Sequence, residues 1–129
     1  MTKADKIYSI NFAIAEYLGW IDLKSAGRLL LPDEPFGITG IKSYLVPIIG
    51  QKRKRDKVPN YVNDLLEINK AIESQDISFK IKYQNLLLET VDLWHPEGSD
   101  FYKVHMMSSD LRAILFCKAA NIWNQEWNF

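Results

Sequence analysis

The stretch from Pro59 to Ile72, reading PNYVNDLLEINKAI, constrains the fold more than any other part of this sequence. Pro59 cannot continue a helix and pushes Val58 towards an extended backbone. Asn60 or Asn63 can cap the orphan amides of a helix that starts just beyond. Asp64 and Glu67 place negative charge near its positive end. Val62, Leu65, Leu66, Ile68 and Ile72 then recur at helical spacing, which predicts a helix over about Tyr61–Ser74 with an apolar stripe.

Two further helices read clearly. From Thr2 or Lys3 to Leu18, the residues Ile7, Ile10, Ile14, Tyr17 and Leu18 fall on one face. Gly19 stands where a left-handed C-cap is expected, and Trp20 and Ile21 are expected to fold back on the helix end. Near the other end of the sequence, Ser108 or Ser109 caps a helix with Asp110 in its first turn and a stripe of Leu111, Ile114, Leu115, Cys117 and Ile122. Between Ser78 and Val91 two periods compete. Ile77, Phe79, Ile81 and Tyr83 alternate like a strand, whereas Phe79, Tyr83, Leu86, Leu87 and Val91 suit a helix. Length decides for helix.

Strands are expected at GRLLLP (Gly27–Pro32), IKSYLVPII (Ile41–Ile49) and FYKVHM (Phe101–Met106). The first two form a hairpin across DEPFGITG, whose Pro35, Gly37 and Gly40 read as turn residues. Pro47 places the second strand at an edge or ends it there. HPEGSD (His95–Asp100) is a turn and GQKRKRDK (Gly50–Lys57) a charged loop. The sum is an α+β layered fold, a small and mainly antiparallel sheet with about four helices.

Three segments, NFAIAEYLGW (Asn11–Trp20), PNYVNDLLEINKAI and SSDLRAILFCKAANIW (Ser108–Trp123), resemble the phage ABA-sandwich domain family in order along most of the sequence. The resemblance implies a small α/β fold of ABA-sandwich type and a bacteriophage or prophage origin. It implies no reaction.

At 129 residues the sequence reads as one domain, residues 1–129, large enough to bury roughly two thirds of its unfolded surface. Sixteen basic residues balance sixteen acidic ones. Neutrality argues against a nucleic-acid partner, whose proteins are usually basic, and makes any anion site local. The single cysteine, Cys117, excludes an internal disulfide and points to a reducing compartment. No run is long enough for a membrane span, so the expected location is the cytoplasm of a bacterial host.

Catalytic signals are weak. His95 with Asp92, Glu97 and Asp100 matches no metal-ligand spacing, His105 lies in an expected strand, and Cys117 lacks a CxxC partner. No GxSxG elbow or Walker loop occurs, and Cys117 on an apolar stripe reads as buried and inert. The expectation is a non-enzyme without metal or cofactor.

The sharpest polar feature is the basic run Lys52, Arg53, Lys54, Arg55 and Lys57. Its plain reading is a solvated loop. Its functional reading is a phosphate site in which Arg53 and Arg55 hold the anion, the lysines add field and Tyr61 stacks on a base. Trp123, Trp127 and Phe129 crowd the last seven positions, which suggests an interface between copies in a homo-oligomer. Two functions are expected. One is a phage accessory protein that sequesters a nucleotide-derived host immune signal. The other is an interaction module that inhibits or regulates a host or phage protein.

Overall fold

The computed structural model describes residues 2–28, 36–42, 54–94 and 107–127. They form an α+β fold with four α-helices and a three-stranded antiparallel sheet. The chain divides into two compact units, residues 1–60 with 124–129, and residues 61–123.

In the first unit, α1 spans Lys3–Tyr17 and is opened by a capping box. The Thr2 hydroxyl accepts from the Asp5 amide while the Asp5 carboxylate accepts from the Thr2 amide, at 3.1 Å each. Gly19 closes the helix at φ 95°, in the left-handed region the sequence calls for there, and its amide reaches the Glu16 carbonyl. Trp20 and Ile21, expected to fold back on the helix end, do so as the start of a strand that packs on α1, β1, Trp20–Arg28. It pairs antiparallel with β2, Phe36–Lys42, which pairs with the short β3, Asp56–Lys57.

Both strands thus begin earlier than expected: β1 and β2 contain the described ends of the two expected strands, Gly27–Arg28 and Ile41–Lys42, and the rest of those expectations lies outside the described residues. GITG is the middle of β2 and not a turn, and Asp56–Lys57 is a strand and not a loop. Two features hid them. Asp22 adopts φ 52° within a register shift between Ile21 and Lys24, and the extra residue there breaks the two-residue alternation of β1. Gly40 serves close packing. A Cβ at that position would meet Leu23 Cδ2 at 2.7 Å and Trp20 Cε3 at 3.2 Å. Residues 29–35 and 43–53 lie outside the described residues, as do the expected turn at 95–100 and the expected strand at 101–106.

Trp20, Ile38 and Gly40 share the buried face of the sheet, and α1 packs on it with Ile7, Ile10, Ile14 and Ala15. Tyr17, expected on that stripe, is exposed instead. The buried Asn11 donates to Asn60 Oδ1 at 2.8 Å, and the Val58 amide donates to the Ile38 carbonyl, so the segment leaving β3 is tied to helix and sheet. A 3-10 turn, Gln125–Trp127, packs on α1 and buries Trp127.

The second unit is helical among its described residues. Tyr61–Asn63 is a turn, and α2 runs from Leu65 to Glu73. Its N-cap is Asp64, whose carboxylate accepts from the Glu67 amide at 3.2 Å, in place of either expected asparagine. Ile68 and Ile72 point inward, but Leu65 and Leu66, the first two residues of the helix, are exposed. The segment with two competing periods is the helix α3, Ile77–Trp94. Phe79, Tyr83 and Leu87 are buried at its i, i+4, i+8 positions, while Ile77 and Ile81 face outward. Helix α4, Ser109–Ala119, starts after Ser108, which occupies the N-cap without a side-chain capping bond. Its buried face is Ala113, Leu115, Phe116, Cys117 and Ala119; Leu111 and Ile114 are only half-buried. The Phe79 and Phe116 rings meet at 4.9 Å between centroids with a 51° tilt. Asn121, at φ 58°, ends α4 with the Ile122 amide bonded to the Cys117 carbonyl, a Schellman closure using Asn in the usual glycine place.

Candidate functional site

The open face of the small sheet carries the most organised polar group. Directly paired residues of an antiparallel ladder share a face, and the register pairs Lys24 with Thr39 and Thr39 with Lys57. These three form one cross-strand row, on the side opposite Trp20 and Ile38. Ile21 and Ile41, paired with each other, extend the same face towards an apolar end.

Arg55 precedes Lys57 by two positions and leans across this row. Its Nη1 donates to the Asp22 carbonyl at 2.7 Å and to Thr39 Oγ1 at 3.2 Å. Its Nη2 donates to the Asp22 carboxylate through Oδ2. Asp22 can supply a backbone and a side-chain acceptor together because its left-handed backbone turns both towards the open face. Lys24 Nζ lies 3.9 Å from the other carboxylate oxygen. Three cations, Lys24, Arg55 and Lys57, thus stand on the face against the one carboxylate of Asp22.

The sequence-derived site residues separate on this structure. Arg55 and Lys57 belong to the face, and the exposed Lys54 adjoins it. Lys52 and Arg53 lie outside the described residues. Tyr61 is 4% exposed, so its ring is committed to the interior and offers no open surface for stacking. Trp127 is 9% exposed and packed on α1, leaving little surface for a second subunit. Trp123 is half-buried with the Lys118 ammonium 5.3 Å from its ring centroid, and Phe129 lies outside the described residues. Sequence reasoning missed Asp22, Lys24 and Thr39. The one local signal was an aspartate interrupting an apolar strand start.

A second polar cluster lies among the helices. Arg112 on α4 donates from Nε to the Met107 carbonyl at 3.3 Å and from Nη1 to Asn69 Oδ1 on α2 at 3.4 Å. Tyr83 on α3 is buried, and its hydroxyl has no aligned hydrogen-bond partner. Burial raises the Tyr83 pKa, and the guanidinium of Arg112 offsets part of that rise. This cluster links three helices and reads as internal support.

Cys117 is fully buried, and desolvation pushes its thiol up to about 12, so it is a neutral, unreactive core residue at physiological pH. Among the described residues, no three His, Cys, Asp or Glu side chains gather as a metal site, and no helix is long and apolar enough to cross a membrane. His95 and His105 lie outside the described residues. No family model, curated protein or solved structure matches the chain.

Proposed function

We propose that the protein is a non-catalytic binder of a small phosphate-bearing molecule, and that it acts as a phage accessory protein sequestering a nucleotide-derived immune signal in the host cytoplasm. The observation that carries the reading is Arg55. A guanidinium fixed on an exposed sheet face beside two lysines is suited to an oxyanion, because it stays charged and presents planar paired donors. Ile21 and Ile41 supply apolar surface on the same face for the uncharged part of such a ligand. The phage setting rests on the family resemblance, and the step from that setting to a sequestered signal is an analogy.

Titration calorimetry against cyclic nucleotides and ADP-ribose derivatives tests the reading. Arg55→Ala should weaken binding at least tenfold, about 1.4 kcal/mol. Its melting temperature should change little, since an exposed ion pair contributes about 1 kcal/mol or less. Absence of heat with every ligand would reject it.

A second reading has its own support. Leu66 is 63% and Ile77 72% exposed, with Ile81 also outward, all within the helical unit. Large apolar side chains in water suit a protein partner. An interaction module would retain a host protein on affinity purification and lose it in Leu66→Ser/Ile77→Ser, with no nucleotide heat.

A further inference from the structure

Arg55 has five N–H donors, and its internal bonds use a definite subset of them. Both Nη1 protons are engaged, one by the Asp22 carbonyl and one by Thr39 Oγ1. One Nη2 proton goes to the Asp22 carboxylate. The Nε–H and the second Nη2–H meet no acceptor among the described residues. In a planar guanidinium these two remaining donors lie parallel along one edge, the side-on edge, at the spacing of two oxygens of one phosphate or carboxylate. The side chain as a whole is 31% exposed.

We infer that Arg55 receives a phosphoryl group side-on, through Nε and Nη2, and that Asp22 and Thr39 are positioning residues which hold that edge outward. This deepens the phosphate-binding reading and rests on it. The inference separates two roles that Asp22 could play. As a simple competitor, its negative charge occupies Arg55 and repels the incoming anion. As a positioning residue, it removes rotamer freedom from a long side chain before the ligand arrives. The Coulomb penalty is small at an exposed face, where water screens the two charges. A free arginine side chain, by contrast, has many rotamers to lose on binding. Three acceptors on one guanidinium remove many of them in advance, so positioning wins.

The backbone at Asp22 makes a clean test possible. Gly accepts φ 52° without strain, and Asn tolerates it better than most residues. Asp22→Gly removes the carboxylate and leaves the carbonyl that Arg55 also uses. It raises the net charge by one, yet it should weaken pyrophosphate binding about fivefold. Asp22→Asn keeps an acceptor oxygen and should bind within about twofold of the parent. Thr39→Val, with no change of charge, should weaken binding about threefold. Arg55→Lys, which keeps the charge and loses the paired edge, should fall to the level of Arg55→Ala.

The direct readout is the Arg55 Nε–H resonance in a 15N correlation spectrum of the intact protein titrated with pyrophosphate. Side-on engagement should shift it downfield and slow its exchange with water, while melting temperatures report that each variant is folded. Equal or tighter pyrophosphate binding by folded Asp22→Gly would overturn the positioning role. Binding that leaves the Nε–H resonance unmoved would overturn the side-on edge. Absence of pyrophosphate binding to the parent protein, together with calorimetric silence across the nucleotides, would overturn the underlying reading as well.

Discussion

The two units of this chain solve the same problem with different materials. The first packs one helix on a three-stranded sheet, and its interior depends on close approach. Gly40 leaves room for Trp20 and Leu23, and Trp127 reaches α1 from much later in the sequence. The second packs helices through large apolar side chains, Phe79 on Phe116 with Ile68, Leu87 and Leu115 also buried. The contrast extends to the surface. The sheet unit exposes a row of cations arranged by one aspartate, whereas the helical unit exposes isoleucine and leucine. A sheet with one face covered leaves its other face free to display paired polar rows. The helical unit shows no such row among its described residues. The ordered polar row therefore belongs to the first unit, and the exposed large apolar side chains named above to the second.

The largest effect expected of a single substitution is Phe116→Ala. Phe116 is fully buried and its ring packs against Phe79, so the loss is about 3–5 kcal/mol. Native-state hydrogen exchange should show lost protection in α2, α3 and α4 first. If the amides of β1 and β2 lose protection equally, the two units fold as one and the contrast between them fails.

Gly40→Ala probes the other unit. The new methyl would stand 2.7 Å from Leu23 Cδ2, which must turn away, and 3.2 and 3.3 Å from the Trp20 ring and the Ile21 carbonyl, which leave it little room, at a cost of about 1–3 kcal/mol. Chemical denaturation should show this loss, with the Trp20 fluorescence changed. An unchanged midpoint would mean that the sheet accommodates volume as readily as a helical bundle.

Alkali should act through the helical unit, with a smaller effect. The Cys117 thiol rises from 9.0 to about 12 on burial, so above pH 9 the unfolded chain releases a proton that the folded chain retains. Stability is unaffected by this group below pH 9 and declines as pH rises from 9 towards 12. The loss is about 1.4 kcal/mol by pH 10. Tyr83 is raised in the same sense, by burial first, and steepens the decline above pH 10. Comparison of denaturation midpoints at pH 8 and pH 10 with those of Cys117→Ala checks this, since the variant should lose its share of the decline.

Helices were far more legible than strands. The α1 stripe, its glycine terminator and the Ser108 start of α4 are written in adjacent residues, because helix signals are local. The competing periods at 77–83 resolved correctly through length. Strand signals failed where an extra residue at Asp22 shifted the alternation, and where Gly40 was read as punctuation rather than as space for a neighbour. The site was half-legible for the same reason. Arg55 stood out as one of a run of cations, but its partners lie 16 and 33 positions away, and the one local mark on them is an aspartate in an apolar strand start. Tyr61 and Trp127 were read as functional surface from type and position, and only packing could place them inside.

The burial of Trp127 against α1 also bears on the order in which the molecule is built. The helical unit is continuous in sequence, so its interior needs nothing from beyond residue 123. The sheet unit begins first but cannot finish there, because the ring that closes over α1 is synthesised after the whole of the other unit. During translation, residues 1–60 must wait with part of the α1 face uncovered while 61–123 are made. The half of this sequence made first thus completes its interior only with a segment made last.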